Sequence, residues 1–395
     1  MNVLVFTSLW PNSEQPNFGI FVKHRIAALA QIDSVNVRVV APVPYFPKLL
    51  RSSIIPAHWR RMARIVDCEL IGGLETFHPR HLVTPKVGMT FYSRWMASGV
   101  EGLLRRLHAE WPIGLIDAHY VYPDGHAAVI LGERLKIPVA ITARGSDVSL
   151  FSYLPFIRPM IRHGLKRANG VIAVSSSLKQ RIVELGVEPE KVAVIRNGID
   201  LSIFYPVDRA EARRRLGLDS ESQIILTVCA LVRRKGIDRL IDAMRLIPGE
   251  RVKLYVVGEG PERAALTTQI AEHNLADRVF LVGSRPQAGL AEWYSAADLF
   301  CLASRREGCP NVVIEAMACG TPVVASDIGG VRELIDDPRY GRIISSPTGE
   351  NFAREIQIAL ESNWDRHGIA MQAAVRPWSK VAEETLAYIN HIHCL

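Results

Sequence analysis

The stretch that decides the fold runs from residue 307 to residue 324 and reads Glu307-Gly308-Cys309-Pro310-Asn311-Val312-Val313-Ile314-Glu315-Ala316-Met317-Ala318-Cys319-Gly320-Thr321-Pro322-Val323-Val324. An apolar run, Leu299–Leu302, precedes it and is typical of a strand buried on both faces. Asn311 can cap a helix that ends at Gly320, and the apolar run Val323–Ala325 begins another strand. Strand, helix and strand in this order predict a βαβ unit of a parallel sheet.

The start of this helix predicts an anion site. The N–H groups near Val312 and Val313 have no helical partners, and the helix dipole favours a diphosphate there. Glu315 lies about one turn further on, where a carboxylate can accept hydrogen bonds from sugar or ribose hydroxyls. Glu307 stands on the preceding loop, nearer to the group that would be transferred.

Similar strand-then-helix units recur along the chain in two series. The first series of strands is Val3–Thr7, Val35–Val40, Leu115–Ala118, Val139–Thr142, Val171–Val174 and Val192–Ile195. The second series is Ile224–Val228, Leu254–Val257, Val279–Val282, Leu299–Leu302, Val323–Ala325 and Arg342–Ile344. Turn residues at Asn197–Asp200, followed by the charged run Asp208–Arg215, separate the two series.

This organisation predicts an α/β protein with two Rossmann-like, doubly wound parallel-sheet domains that face a cleft. The expected limits are 1–203 for the first domain and 204–376 for the second. The tail, 377–395, is predicted to be one helix that crosses back to the first domain. Ligands of such sheets bind beyond the carboxyl ends of the strands, so the site residues should follow strands.

Composition excludes several classes of protein. The chain has 395 residues, of which 48% are hydrophobic and 22% charged, so it is neither disordered, collagen-like nor a disulfide miniprotein. Residues 1–200 carry 24 Lys and Arg against 15 Asp and Glu, a charge of +9, and the remaining residues carry −2. The six cysteines form no C-x-x-C pair and are predicted to be buried thiols in a reducing compartment.

The stretch from Glu307 to Glu315 resembles the E-x7-E signature of the retaining glycosyltransferases of family 4, which have the GT-B fold. The resemblance covers nearly the whole chain and extends to Pro16–Val22, Arg196–Asp200, Leu226–Gly236 and Val257–Pro261. The residues Ser8–Asn12 and the loop at 16–22 look most like bacterial transferases of cell-surface polysaccharide synthesis, including teichuronic-acid types. The resemblance implies a nucleotide-sugar donor, with a UDP-sugar favoured over a GDP-sugar, and a lipid-linked or growing surface glycan as acceptor.

The resemblance also implies roles for particular residues of the donor site. Lys235 and Gly236 match the pair that binds the donor phosphate, and Gly19 matches the glycine that lets backbone N–H groups approach the diphosphate. Many members place an arginine five residues before that lysine, where this chain has Ala230. The nearby Arg234 is a candidate substitute, with Arg233 beside it. The family reads the base largely through backbone, which is predicted here near Ser284 and Arg285.

His119 follows the strand Leu115–Ala118 and matches a histidine that contacts the transferred sugar in the family. Tyr120, the next residue, is a further candidate at the acceptor. Arg144 stands where relatives often have a histidine, and it either binds an anionic acceptor or pairs with Asp147. No Asp-x-Asp follows a strand of the first domain, so the resemblance predicts no metal ion and no other cofactor.

Two basic clusters predict contact with an anionic membrane surface, or else are ordinary solvated faces. One is Arg158, Arg162, Lys166 and Arg167 at helical spacing, and the other is Trp59–Arg61 with Arg64. The start of the chain reads as a strand instead of a signal peptide, and no apolar run approaches the ~20 residues of a membrane span. We therefore expect a cytoplasmic protein at the inner face of the membrane.

Three other functions remain open from the sequence. A dehydrogenase is disfavoured because Gly258-Glu259-Gly260 is followed by Arg263 where the dinucleotide fingerprint needs glycine. A nucleotide-sugar epimerase of GT-B fold would lack the E-x7-E stretch. A catalytically inactive nucleotide-sugar-binding module is favoured only by Ala230. Nucleic-acid binding is not expected, because the positive charge is local and lacks a stacking motif.

Overall fold

A computed structural model describes residues 1–45, 61–84 and 88–393. The chain divides into two compact units. Unit 1 consists of Met1–Asn197 together with the residues from Trp378 on, and unit 2 consists of Gly198–Pro377. The helix at the end of the chain therefore belongs to unit 1, as the sequence predicts.

Unit 1 is built on an eight-stranded sheet with the order β10-β9-β8-β7-β1-β2-β5-β4. Its strands pair in parallel except for β4, which runs antiparallel to β5. A separate parallel pair joins β3 to β6. The strands of unit 1 are β1 (Asn2–Phe6), β2 (Asn36–Val40), β3 (Val43–Pro44), β4 (Cys68–Ile71), β5 (Leu74–Phe77), β6 (Arg80–His81), β7 (Leu115–His119), β8 (Val139–Ala143), β9 (Gly170–Ala173) and β10 (Val192–Val194).

The helices of unit 1 connect these strands and cover both faces of the sheet. They are α1 (Ile20–Leu29), α2 (Tyr92–Glu110), α3 (His126–Leu135), α4 (Ser146–Ser149), α5 (Arg158–Arg167), α6 (Ser176–Glu184) and α15 (Trp378–His393). Ser175 caps α6, because its hydroxyl accepts the N–H of Leu178 at 3.2 Å.

The terminal helix α15 completes the core of unit 1. Ala382 and Ile389 are buried in the same apolar cluster as Val3 and Ile26. The hydroxyl of Tyr388 accepts the N–H of Val171 at 3.0 Å, which ties the helix to β9.

Unit 2 contains a six-stranded, all-parallel sheet with the order β13-β12-β11-β14-β15-β16. Its strands are β11 (Gln223–Val228), β12 (Val252–Val257), β13 (Val279–Gly283), β14 (Leu299–Leu302), β15 (Val323–Ser326) and β16 (Gly341–Ile344). Its helices are α7 (Arg209–Leu216), α8 (Ile237–Leu246), α9 (Arg263–Glu272), α10 (Leu290–Ala296), α11 (Asn311–Ala318), α12 (Val331–Leu334), α13 (Gly349–Glu361) and α14 (Arg366–Ala374). An apolar core lies on each face of this sheet, which is why its strands are runs of buried residues without alternation.

The structure divides the chain after Asn197, a few residues before the limit at 203/204 that the sequence predicts. Ile199 and Phe204 are both buried in the core of unit 2. The N–H of Ile199 also donates to the carbonyl of Arg376 at 3.0 Å, which places the connecting segment in unit 2.

The prediction that the cysteines are buried is wrong for Cys68. It lies exposed on β4, the edge strand of the sheet among the described residues. Cys301 and Cys319 are buried as predicted, and Cys394 lies outside the described residues.

Candidate active site

Each of the two large sheets has a switch point, which is the place where the strand order reverses. The connections that follow the two neighbouring strands lead in opposite directions there, and ligands of such sheets bind in the crevice beyond the carboxyl ends. In unit 2 this point lies between β11 and β14, and in unit 1 between β1 and β7. The loops after β11 and β14 carry Lys235 and Glu307, and β7 ends at His119. The strand order thus places the predicted residues of each unit at its switch point.

The two loops of unit 2 meet in an ion pair. Nζ of Lys235 lies 2.5 Å from Oε1 of Glu307, and the hydroxyl of Ser304 donates to the same oxygen at 2.8 Å. The Lys235 and Glu307 side chains are only 15% and 11% exposed. Limited solvent screening strengthens such a pair, so the lysine and the carboxylate hold each other at the strand ends.

Gly236 lets the turn that carries Lys235 approach the end of β14 closely. This residue has φ +68°, and a Cβ there would lie 2.0 Å from the carbonyl oxygen of Ala303. Only glycine fits both the left-handed backbone and this contact. Lys235 ends a short 3₁₀ turn immediately before it, and helix α8 begins immediately after it.

Arg305 also connects the loops that follow β11 and β14. Its guanidinium forms two bonds to the carboxylate of Asp238, at 2.9 and 2.5 Å, and one to the carbonyl of Arg233 at 2.7 Å. Its backbone N–H donates to the carbonyl of Arg234 at 2.7 Å. Arg305 therefore holds the turn before Lys235 by two contacts to backbone carbonyls, and the start of α8 by an ion pair.

Helix α11 differs from its prediction at the first turn. Asn311 is the first helical residue and not the cap, because Pro310 occupies the cap position and no side chain caps the helix. The N–H of Val313 is not open either, since it donates to the carbonyl of Pro310 at 3.1 Å. Gly320 ends the helix in the left-handed conformation, as predicted.

Glu315 on α11 is held by a tyrosine that the sequence analysis did not single out. The hydroxyl of Tyr294 donates to Oε2 of Glu315 at 2.8 Å. Burial raises the pKa of Glu315 to about 7, and the hydrogen bond from Tyr294 opposes that shift. The glutamate therefore titrates near neutrality.

The other predicted donor residues lie at the surface of unit 2. Ala230, where relatives have an arginine, is exposed at the end of β11, and Arg233 and Arg234 are exposed as well. Ser284 and Arg285 are exposed after β13, with the guanidinium of Arg285 donating to the carbonyl of Ser284 at 3.0 Å.

In unit 1, His119 is fully buried beneath Arg144. A guanidinium nitrogen of Arg144 donates to Nδ1 of His119 at 2.7 Å, while Nε2 lies 3.2 Å from a carboxylate oxygen of Asp117. Because Nδ1 accepts, the proton of the neutral ring resides on Nε2, the nitrogen nearer to Asp117. Burial, together with the charges of Arg144 and Arg25, lowers the pKa of His119 to about 4.

Arg144 does not pair with the side chain of Asp147, which was one of its two predicted roles. Asp147 instead accepts backbone N–H groups of the turn, including those of Arg144 at 3.1 Å and Gly145 at 2.7 Å. The guanidinium of Arg144 turns toward His119, and its carbon lies 5.4 Å from the centre of the Phe21 ring. The buried carboxylate thus fixes the turn, and the arginine side chain is directed to the switch point.

Two further predicted residues lie near this point. Gly19 precedes α1 with φ +64°, and a Cβ there would lie 2.3 Å from the carbonyl oxygen of Leu9. Tyr120 has φ +84°, and its hydroxyl lies 2.9 Å from that of Ser146. A positive φ is uncommon for a residue other than glycine, so the turn after β7 is strained.

Several residues around both switch points escaped the sequence analysis: Asp117, Asp124, Tyr294, Ser304 and Arg305. The position of Asp117 two residues before His119 on one strand was the available signal, because alternate strand residues face the same side. Tyr294 lies in an apolar stretch and gave no such signal.

Neither a metal cluster nor a membrane span is found in the described parts of the chain. Across residues 1–45, 61–84 and 88–393, no group of three or more His, Cys, Asp and Glu is arranged to hold a metal ion. Among the helices of these same residues, none has the length and apolar character that crossing a membrane requires.

The fold and the site define a glycosyltransferase. Residues 2–203 match the family model described as Glycosyltransferase Family 4, and residues 208–376 match the one described as Glycosyl transferases group 1. The chain belongs to glycosyltransferase family 4 and is a transferase of the EC 2.4 class.

Among known proteins, the chain is similar to the one assigned as the teichuronic acid biosynthesis glycosyltransferase TuaC of Bacillus subtilis (strain 168). The two are 30% identical, over 85% of this chain and 83% of that protein.

Solved structures share the fold over the whole chain. Sucrose-phosphate synthase (tll1590) from Thermosynechococcus elongatus has a TM-score of 0.78 at 23% identity, covering 100% of this chain and 99% of that one. Anabaena Alr3699/HepE in complex with UDP has a TM-score of 0.75 at 20% identity, covering 99% of this chain and 100% of that one. Together with the two doubly wound sheets, these likenesses confirm the predicted GT-B fold.

Proposed function

We propose that the protein is a retaining glycosyltransferase that moves a sugar from a UDP-sugar to a lipid-linked or growing bacterial surface glycan. The observation that carries the donor half of this proposal is the Lys235–Glu307 pair at the switch point of unit 2. UDP is favoured as the nucleotide because the HepE structure with the same fold contains UDP. The surface glycan is favoured by the name of the similar Bacillus subtilis protein.

The proposed reaction depends on stabilising a leaving diphosphate. The bond between the anomeric carbon and the phosphate oxygen breaks, and the oxygen of the acceptor hydroxyl bonds to that carbon on the same face, while the proton of that hydroxyl passes to the leaving phosphate oxygen. Negative charge then collects on the diphosphate, where an ammonium group is the natural counter-charge. Lys235 has three N–H donors, of which Glu307 accepts one. The other two can donate to phosphate oxygens, and we propose that the protein neutralises the diphosphate in this way without a metal ion.

In unit 1, we assign contact with an anionic group of the acceptor to Arg144. The family resemblance gives the sugar contact to His119, but that ring is fully buried and its Nδ1 accepts from Arg144. The guanidinium is half-buried and lies at the end of its strand. A guanidinium is the side chain best suited to bind carboxylates and phosphates.

Thermal unfolding with nucleotides tests the donor site. UDP, GDP, ADP and NAD are each added at millimolar concentration to the full chain, and a selective shift with UDP is expected. Ligand at about 100 times its dissociation constant adds about 2.7 kcal/mol of stability, which is readily measured. A selective shift with NAD contradicts the proposal.

Turnover of the UDP-sugar tests the catalytic roles. Lys235→Ala and Glu315→Ala should each lower turnover at least about 100-fold while the fold persists, the size expected when a charge-stabilising group is removed. Near-normal turnover in either variant refutes the assigned role.

An inactive nucleotide-sugar-binding module is the second candidate function, favoured by one observation. The position of the usual phosphate-binding arginine is Ala230, an exposed residue. Nucleotide binding without any turnover, including slow hydrolysis of the UDP-sugar, would support this candidate. Measurable turnover that Lys235→Ala abolishes would reject it.

We propose an anionic lipid bilayer as a further partner of unit 1, at the inner face of the cytoplasmic membrane. On α5, Arg158, Arg162 and Lys166 are exposed at successive turns, whereas Ile161 and Leu165 are buried on the opposite side. Positive charge in this pattern complements an anionic lipid surface. Of the second predicted cluster, Arg61 and Arg64 are exposed, and the other members lie outside the described residues.

Apolar side chains beside α5 strengthen this proposal. In the segment just before the helix, Phe156 is 78% exposed and Tyr153 is 63% exposed. The guanidinium carbon of Arg181 lies 4.6 Å from the centre of the Tyr153 ring. Exposed aromatic rings beside basic residues are typical of proteins that lie on a membrane interface.

Vesicle flotation tests this surface. Binding is expected with vesicles containing phosphatidylglycerol and not with pure phosphatidylcholine. Replacing Arg158, Arg162 and Lys166 by glutamine should weaken binding about a hundredfold, at about 1 kcal/mol per basic residue. Arg105→Gln, an exposed arginine of α2 paired with Glu101, is the matched control. Equal binding to both vesicle types would mean that α5 presents an ordinary solvated face.

A further inference from the structure

The pair of Tyr294 and Glu315 is the best-defined polar contact around α11. Tyr294 is fully buried, whereas part of the Glu315 side chain remains accessible. The phenol hydroxyl donates to Oε2 at 2.8 Å. Among the residues that the structure describes, none donates to the second carboxylate oxygen, Oε1. The glutamate thus has one oxygen bound from inside the protein and one oxygen left for another donor.

The tyrosine is held so firmly that it can act as a fixed support. Its ring packs against Phe204 and Phe300, with ring centres 6.1 and 5.6 Å away. Its backbone carbonyl accepts the hydroxyl of Thr321 at 2.6 Å. Packing on the ring and a hydrogen bond on the backbone leave the phenol oxygen little freedom to move.

We propose that Tyr294 is a positioning residue of the donor site, which holds Oε2 of Glu315 so that Oε1 accepts a hydroxyl of the donor's ribose. This inference rests on the proposed function, because it takes Glu315 to contact the donor. A carboxylate with both oxygens free would rotate about its last bond, and ordering it would oppose binding. The tyrosine removes that freedom before the ligand arrives.

The surroundings of the pair make this role dependent on pH. Burial raises the pKa of Glu315 to about 7, and the Tyr294 hydroxyl lowers it by stabilising the carboxylate. Burial raises the pKa of Cys319 to about 12 and that of Cys229 to about 11, so both neighbouring thiols stay neutral. Arg366 on α14 lowers the pKa of Cys319. Without the phenol hydroxyl, Glu315 should therefore bind its proton at higher pH.

The test is calorimetric binding of UDP to the full chain between pH 6 and pH 9. Tyr294→Phe should bind UDP about tenfold more weakly than wild type at pH 7, at the lower end of what a hydrogen bond to a charged group contributes. The difference should be smaller at pH 9, where Glu315 is ionised in both proteins, but it should persist because the carboxylate of the variant is still free to rotate. Tyr255→Phe, which removes a hydroxyl from another aromatic residue of the same core, is the matched control and should bind as wild type.

Two results overturn the inference. One is wild-type affinity of Tyr294→Phe at pH 7, and the other is a loss of affinity that disappears by pH 9, which would mean that the hydroxyl acts on the protonation of Glu315 and does not hold the carboxylate in place. Glu315→Ala distinguishes the inference from the proposed function beneath it. If Glu315→Ala binds UDP normally, the donor role of Glu315 is wrong. If Glu315→Ala binds poorly while Tyr294→Phe is normal at every pH, only the role of the tyrosine is wrong.

Discussion

Removing the lysine of the Lys235–Glu307 ion pair should destabilise the protein, and removing both charges should undo most of that loss. The perturbation is Lys235→Met, which keeps much of the length of the side chain but deletes the charge. Glu307 then retains one hydrogen bond, from the hydroxyl of Ser304 at 2.8 Å. A carboxylate that is mostly enclosed and has lost its counter-charge is unfavourable.

The burial of the Lys235–Glu307 pair determines how much stability the variant should lose. Loss of one partner from a fully buried ion pair costs about 3–5 kcal/mol, whereas exposed pairs contribute about 0–1 kcal/mol. The two side chains are 15% and 11% exposed, so they lie closer to the buried limit. With the Ser304 bond retained, we expect Lys235→Met to lower the free energy of unfolding by about 2 kcal/mol.

A double-mutant cycle measures the interaction itself. Glu307→Gln alone should cost about 1 kcal/mol, because the amide oxygen still accepts from Lys235. The double variant leaves no isolated charge and should also cost about 1 kcal/mol instead of the sum of about 3, a coupling of about 2 kcal/mol. Urea unfolding of the four full-length proteins gives all four free energies.

The result that would refute this reasoning is additivity, in which the double variant loses as much stability as the two single variants together. A coupling below about 0.5 kcal/mol is within the range of independent sites and would mean that the ion pair contributes nothing to stability. UDP binding supplies the complementary readout. The double variant should regain stability without regaining UDP affinity, because the proposed phosphate-binding charge is still missing.

Two further predictions concern the turns at the strand ends. Gly236→Ala should destabilise the protein by about 2 kcal/mol or more in urea unfolding, because the added Cβ would meet the Ala303 carbonyl oxygen at 2.0 Å. Gly249→Ala, also at positive φ but with no atom within 4 Å of the added Cβ, should cost only about 1 kcal/mol, and an equal loss in both would contradict the contact. Arg144→Met should raise the pKa of His119 above its value of about 4, measured by NMR titration of the ring, and an unchanged pKa would show that the arginine does not act on it.

The sheets and the position of the donor loops could be predicted from the sequence. Strands buried on both faces are continuous apolar runs, so each run marks a strand of a parallel sheet. The rule that ligands bind beyond the carboxyl ends then brings Lys235 and Glu307 to one edge of the sheet of unit 2. The structure joins them at 2.5 Å.

The details that the sequence did not predict depend on how side chains pack in the folded protein, and sequence patterns carry no information about that packing. Tyr294 reads as one more apolar residue of α10, and only the fold brings its hydroxyl to Glu315. Arg144 is near Asp147 in sequence, yet its backbone and not its guanidinium makes that contact. In each case, a contact made in the folded protein determined the role of the residue, and the local sequence pattern did not predict that contact.

The position of α15 in unit 1 bears on the order in which the protein can mature during translation. Residues 1–197 are synthesised before unit 2, whereas Ala382 and Ile389, which lie in the same core as Val3 and Ile26, are synthesised after it. All of unit 2 must emerge before that core can close. The nascent first unit therefore carries an apolar surface around α1 throughout the synthesis of the second, the kind of surface that chaperones bind. A stalled or prematurely ended chain would be expected to aggregate through this surface even when unit 2 has folded correctly.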